Sequence, residues 1–379
     1  MTQEAQPVPQ TYLQRSSRDP ALVGSRLTVW LTSVLPPGAA PAVSLALAAD
    51  SNGMSSETLP VTISHTVDGL RRTDEYVARI APAPGDVPVF ASYRLRDQYE
   101  AMRLAALLTE VPVPRVWLLE ESGDVLGTPF FLMERVDGIV PPDVLPYPFG
   151  GNWLYDATVE QQQALQRRSV AVLAALHAIP DAATRFAFLD PSTTGHDGDG
   201  WLSRNLAKTR AWYAFAAEGG PGSVLIARGL AWLVANLPAE TDPVLVWGDA
   251  RIGNTMYRDF TPVAVLDWEM ATLGPREMDV AWMIFGHEVF QDIATTFGLP
   301  GMPDFLRADD VRATYEQLTG TTLGDLTWHR VHAAVQWGCV FLRTSTRQVH
   351  FGEIERPADP ESVFHHRALF ERLLDEVGA

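Results

Sequence analysis

The sequence predicts an α+β protein of two lobes, the first rich in β-strand and the second mainly helical. Three observations carry that prediction. Short apolar or alternating runs, punctuated by Gly, Pro and Asn, fill residues 43–136. Apolar residues at helical spacing dominate from residue 159 to the end. Residues 137–151, between these regions, are rich in Pro and Gly and read as a linker or flap. At 379 residues, 46% of them hydrophobic, the chain can build one large two-lobed unit with a sizeable core.

In chain order, residues 1–20 read as a tail. Residues 22–35 have helical spacing and stop before Pro36-Pro37-Gly38. Residues 43–49 and 61–65 are strand candidates on either side of the polar loop Asp50-Ser51-Asn52-Gly53-Met54-Ser55-Ser56-Glu57. A third strand candidate spans residues 76–80, and an amphipathic helix follows at 93–108. Two more strands are expected, one opening at residues 111–116 and one at 129–133. The first third is therefore a mostly antiparallel sheet with one inserted helix, and the lobe boundary is expected at 135/136. Residues 21–135 form one lobe and 136–379 the other. In the second lobe, helices are expected at 159–179 (closed by Pro180), 201–217, 224–237 (ended by Pro238), 277–290, 309–318, 326–349 and 360–377. The runs 243–247 and 263–266 read as its one clear hairpin.

Composition excludes several classes. A net charge of −17 argues against a general nucleic-acid binder, which needs a basic surface to displace counterions. No apolar run reaches the roughly 18 residues that span a bilayer, and the polar N-terminus lacks the apolar core of a signal peptide. The expectation is a soluble, cytoplasmic protein with no membrane partner and an open oligomeric state. Cys339 is the single cysteine, so no internal disulfide and no cysteine zinc cage can form. Lys208 is the single lysine, so arginine must take any other role that lysine usually fills.

The residues that carry chemistry lie around the expected hairpin. The run 243–247 ends in Gly248-Asp249, the run 263–266 ends in Asp267, and Asn254 stands five residues after Asp249. Two carboxylates and an amide at strand ends suit a hard cation and a phosphate. Phosphoryl transfer needs a carboxylate aimed at the acceptor hydroxyl, metal ligands on the phosphate side, a loop of backbone N–H groups over the phosphates, and a nearby cation. Asp249, Asn254 with Asp267, the Ser51–Ser56 loop and Arg79 can fill these roles in that order. Either aspartate alone reads equally well as a turn residue; only the spaced set points to chemistry. Other signals fail. His287-Glu288 lacks a second zinc-binding histidine, because Gln291 stands there. His329 with His332, and His365-His366, lack convergent partners. Gly219-Gly220-Pro221-Gly222 follows a helix, unlike a dinucleotide fingerprint.

The spacing Asp249-x-x-x-x-Asn254 followed by a strand ending in Asp267 resembles the catalytic loop and metal aspartate of the protein-kinase-like fold. Trp247-Gly248-Asp249-Ala250-Arg251-Ile252-Gly253-Asn254, Leu266-Asp267-Trp268-Glu269 and Asp279-Val280-Ala281 are closer in wording to the aminoglycoside phosphotransferase and choline kinase family. Gly127-Thr128-Pro129-Phe130-Phe131-Leu132-Met133-Glu134 and Leu173-Ala174-Ala175-Leu176-His177 also resemble that family. The likeness runs from about residue 45 to residue 285 and is closest to the branch found fused to acyl-CoA dehydrogenases.

The resemblance implies a bilobal kinase that uses ATP and Mg²⁺ on a hydroxyl of a small molecule. In it Asp249 orients the acceptor hydroxyl and takes its proton, and Asn254 and Asp267 hold Mg²⁺. Glu134 and Val136 offer backbone groups to adenine, with Met133 packed nearby. Ser51, Asn52, Gly53, Met54, Ser55 and Ser56 lie over the phosphates, with Arg79 beside them. Asp279 bonds backbone groups of the catalytic loop. Glu269, Trp201 and Tyr213 are candidates for substrate contact. Three positions depart from the family: Trp247 replaces its histidine, Arg79 its strand lysine, and Gln98 the acid of the following helix. Arginine keeps the charge but changes the geometry. Two alternatives stay open, a kinase for a hydroxyacyl acceptor (a hydroxy acid or hydroxyacyl-CoA) and a nucleotide-binding regulatory protein.

Overall fold

The computed structural model describes residues 18–45 and 56–379. The described chain forms two compact units. One comprises residues up to 89 with 117–135, and the other 90–116 with 136–379.

The first unit is a sheet covered by a helix. Helix α1 (Pro20–Val34) starts at Asp19, whose side chain accepts from the Ala21 N–H at 2.9 Å, with Pro20 in the first turn. Val23, Leu27 and Leu31 recur every four residues and form its buried face. They pack on Val61, Ile63, Ala78, Ile80, Phe130 and Leu132 of the sheet. Strands β1 (Ala42–Leu45), β2 (Glu57–Val67) and β3 (Leu70–Ile80) are antiparallel neighbours. The β2–β3 turn is Asp68-Gly69, both at positive φ, as a two-residue hairpin requires.

Helix α2 (Leu95–Leu108), which sequence order sets among these strands, belongs to the second unit. Strands β4 (Val116–Glu120) and β5 (Phe130–Glu134) complete the sheet in the order β1-β2-β3-β5-β4. The strand expected to open at residue 111 begins only at Val116. Pro112 and Pro114 have no N–H for a ladder, and the Pro112 carbonyl instead accepts from Val265 N at 2.8 Å.

The second unit is mainly helical. Its helices are α3 (Val159–His177), the short α4 (Ala182–Arg185), α5 (Trp201–Ala216), α6 (Val224–Ala235), α7 (Glu277–Thr296), α8 (Ala308–Thr319), α9 (Thr327–His350) and α10 (Arg367–Glu376). Thr158 and Gln161 form a reciprocal capping box at the start of α3. The first half of α7 is buried on nearly every side, so it is the central helix of the unit. The terminal helix expected over 360–377 is divided into a 3₁₀ turn at Pro360–Val363 and α10.

Four short strands carry the candidate residues: β6 (Val244–Val246), β7 (Thr255–Arg258), β8 (Thr261–Val265) and β9 (Thr272–Gly274). Here the structure corrects the expected hairpin. The runs before Asp249 and Asp267 are not partners, because β6 pairs with β9 and β7 with β8. The β7–β8 turn is Asp259-Phe260, both left-handed. With no glycine in that turn, the hairpin carries no strong turn signal in the sequence. Among the described residues, no helix is long and apolar enough to cross a membrane.

Candidate active site

The loop after β6 is held from beneath by α7. Asp279, fully buried, accepts from the backbone N–H groups of Trp247 (2.7 Å) and Gly248 (2.8 Å). His177 Nε2 lies 3.1 Å from the same carboxylate, and His177 Nδ1 faces the Tyr315 hydroxyl at 2.8 Å. Two N–H groups that would otherwise be orphaned therefore meet a charged acceptor. Gly248 has φ +93°, and a Cβ there would sit 2.4 Å from the Met270 carbonyl oxygen, so only glycine fits. The Trp247 indole donates to the Leu266 carbonyl at 2.8 Å. The tryptophan thus ties the loop to the chain just ahead of Asp267.

The β7–β8 register explains how Asn254 and Asp267 come together. Thr255 pairs with Val265, and one residue outward Leu266 N donates to the Asn254 carbonyl at 2.8 Å. Asp267 is the next residue, in left-handed backbone (φ 60°, ψ 64°). Aspartate tolerates that conformation better than most residues, and such outliers gather at functional sites. The Asn254 amide nitrogen donates to the Asp249 carbonyl at 3.1 Å.

One carboxylate oxygen of Asp249, Oδ1, receives the Trp282 indole N–H at 2.8 Å and Arg251 Nε at 3.2 Å. Arg251 also pairs with Asp143 of the 137–151 segment. Gly253 leaves room for this pair, since a Cβ there would lie 2.6 Å from Asp143 Oδ1. Burial raises the pKa of Asp249 above the usual carboxylate value, and the Asp267 charge adds to the effect; Arg251, Asn254 and Trp282 oppose it. Trp282 and the Asp143–Arg251 pair were not anticipated from the sequence. Arg251 lies inside the recognised motif and Trp282 directly follows Asp279-Val280-Ala281, but only the fold shows what each touches.

The candidate nucleotide residues fall mostly on the first unit. Ser51, Asn52, Gly53, Met54 and Ser55 lie outside the described residues; Ser56 is buried just before β2. Arg79 pairs in register with Phe131, two residues before Met133 on β5. Strand alternation therefore sets Arg79 and Met133 on one face of the sheet, and both are buried. Glu134 ends β5 opposite Tyr76, and Val136 follows in the connecting segment.

Beside the Asp249 loop the second unit encloses a cavity of about 200 Å³. Gly248 and Trp282 reach it from the loop after β6 and from α7, and Glu269 also lines it. Trp201 and Tyr213 do not. Trp201 opens α5 with the Arg204 guanidinium 5.0 Å above its ring. The Tyr213 hydroxyl accepts from Ser223 N at 2.8 Å and donates to the Ser223 carbonyl at 3.1 Å. Both side chains therefore serve the packing of α5 rather than this cavity. Lys208, Arg94 and Asp97 do line it, although nothing in the local sequence marks them.

The phosphotransferase enzyme family matches residues 61–319, more than half of the chain. The chain belongs to this family. It is 27% identical over 281 residues to a protein of Arabidopsis thaliana named "Probable acyl-CoA dehydrogenase IBR3", covering 67% of this chain and 31% of that one. Over 210 residues it is 29% identical to acyl-CoA dehydrogenase family member 10 of Mus musculus, covering 52% and 18% respectively. The chain thus spans less than a third of the length of these relatives, in keeping with the branch the sequence resembles. A solved structure from Ralstonia eutropha, provisionally assigned as an aminoglycoside phosphotransferase, matches 92% of this chain and 96% of its own. Its TM-score is 0.61 at 22% identity. That likeness shows the fold: this chain has the bilobal α+β architecture expected from the sequence.

Proposed function

We propose that this phosphotransferase moves the γ-phosphoryl group of ATP to a hydroxyl of a small molecule, with Asp249 as the base. The observation that carries the reading is the setting of Asp249. Its carboxylate is fixed through one oxygen by Trp282 and Arg251, beside a cavity that Trp282 and Gly248 also line. A carboxylate with raised proton affinity is better matched to drawing a proton from an alcohol as the phosphorus–oxygen bond forms.

Asn254 and Asp267 suit Mg²⁺. The amide nitrogen of Asn254 is committed to the Asp249 carbonyl, which leaves the amide oxygen for a hard cation. The Asp267 charge felt by Asp249 is one that a divalent ion offsets. When bound there, Mg²⁺ supplies charge neutralisation on the phosphates. The first unit is assigned to the nucleotide, with Ser56, Arg79, Met133, Glu134 and the adjoining Val136 as its contacts, and the second unit, residues 90–116 and 136–379, to catalysis and the acceptor. The cytoplasm is the compartment proposed for it.

The cavity walls combine aromatic Phe90, Trp212, Trp268 and Trp282 with carboxylates (Asp97, Asp190, Glu269) and cations (Arg94, Lys208), so the hydroxyacyl alternative is tested beside amine acceptors. The test is ATP consumption with Mg²⁺ over a panel of aminoglycosides, amino alcohols and hydroxy acids. Turnover by the wild type, with Asp249→Ala reduced about 10²–10⁴-fold, is the expected result. Full activity in Asp249→Ala would sink the mechanism, and ATP binding without turnover on any acceptor would favour a regulatory role.

A further inference from the structure

The chain's one lysine stands in the wall of the cavity beside Asp249. Lys208 lies on α5, where Asn205 and Trp212, three residues before it and four after, share its face, with Thr209 adjoining; all four line the cavity. Every other basic side chain is arginine.

The carboxylates of the same wall are largely answered already. Asp97 pairs with Arg94 at 2.7 Å, and Asp190 with Arg204 at 2.8 Å. Among the described residues, Lys208 has no ion-pair partner. Lys208 is half-buried, and burial with the neighbouring Arg94 pushes its pKa down to about 8 against the pull of Asp97. A partly desolvated cation whose nearby carboxylate, Asp97, is already paired with Arg94 carries a cost that an incoming anion reduces. The net charge of −17 repels anions at long range, so an anionic ligand needs a dedicated local cation.

We propose that Lys208 anchors a carboxylate on the acceptor, so that the alcohol phosphorylated here is a hydroxy acid whose apolar body lies against Trp212, Trp268 and Trp282. This rests on the reading above only in taking the cavity as the acceptor site. The anchor itself is a binding site that can be measured without turnover.

The experiment follows indole fluorescence without nucleotide, with 6-hydroxyhexanoate and 3-phenyllactate as probes and their methyl esters and choline as comparators. The acids should bind the wild type about 10- to 100-fold more tightly than their esters, the range for a hydrogen bond to a charged group. Lys208→Met should bring the acids down to the level of the esters, while Lys208→Arg retains tight binding.

The groups facing Lys208 around the cavity are Arg94 and Asp97 beside and on α2, His196, Asp190, Glu269, and His329 and His332 on α9. The histidines titrate at or below the ordinary value, so the window near pH 8 belongs to Lys208. Acid binding should weaken as pH rises through that window in the wild type and persist in Lys208→Arg. Unchanged binding in Lys208→Met, esters as tight as acids, or preference for choline would each overturn the anchor. Acids that bind through Lys208 but are not phosphorylated with Mg²⁺-ATP, while an aminoglycoside or amino alcohol is, would overturn the hydroxy-acid acceptor; no turnover on any acceptor would count against the kinase reading instead.

Discussion

Asp249 is held through a single oxygen by donors from two directions, the Trp282 indole and the Arg251 guanidinium. The first contributes position and the second also charge. Replacing Asp249 by Asn keeps the shape and removes the proposed base, so kcat should fall about 10²–10⁴-fold with nucleotide affinity little changed, read from steady-state kinetics and nucleotide titration. Arg251→Met should lower kcat by about 10²-fold, the scale of a misplacement near 1 Å. It leaves Asp143 without its partner and frees Asp249 to turn. Asp143→Asn should reproduce part of that loss if the segment 137–151 positions the loop through Arg251; rates equal to wild type in both variants would exclude the arrangement. The motif was legible at this scale because it is compressed into nineteen residues, from Asp249 to Asp267. Asp143 was not, since the residue it serves is 108 positions away.

Among the elements, α7 does most to shape the site. Its Asp279 organises the Trp247-Gly248 backbone and His177, and its Trp282 holds Asp249. Asp279→Ala should leave two buried N–H groups without acceptors, at a cost of about 1–3 kcal/mol for each. A lowered denaturation midpoint with loss of activity is the expected result. Asp279→Asn should fall between, because its one carbonyl oxygen cannot serve all three donors. Gly248→Ala should be as damaging to the loop, since the new Cβ meets the Met270 carbonyl and the backbone angle is left-handed. The partnering of the short strands was the part that the sequence misled on. Three-residue strands such as β6 and β9 carry too few alternations to specify a register, and apolar runs that look like neighbours joined other strands instead.

For the molecule as a whole, buried neutral histidines govern the response to acid. Burial lowers His287, His329 and His366 to about 4 and His332 to about 3. Each folded value is below the ordinary value near 6.5, so the unfolded chain binds these protons first as pH falls. Stability should therefore be full above about pH 6.5 and decline as pH drops towards about 4. Each histidine contributes a slope of up to roughly 1.4 kcal/mol per pH unit. Thermal melts between pH 7.5 and 5 should show Tm falling over that window, less steeply in His332→Gln. A flat Tm would mean that the folded chain takes up these protons as readily as the unfolded one.

Determined by the sequence alone were the α+β class, the order of a β-rich and a helical region, and the set Asp249, Asn254 and Asp267. Each of these rests on local information: periodicity, turn residues, and a motif whose spacing is its chemistry. Tertiary structure decided the strand partners around the site, the assignment of α2 to the helical unit, and the linkage of Asp143 through Arg251 to Asp249. It also removed Trp201 and Tyr213 from the cavity and brought in Lys208. These are long-range facts, because which face of α5 meets the cavity depends on how that helix packs. A lone lysine in a helix has no meaning until its neighbours are known.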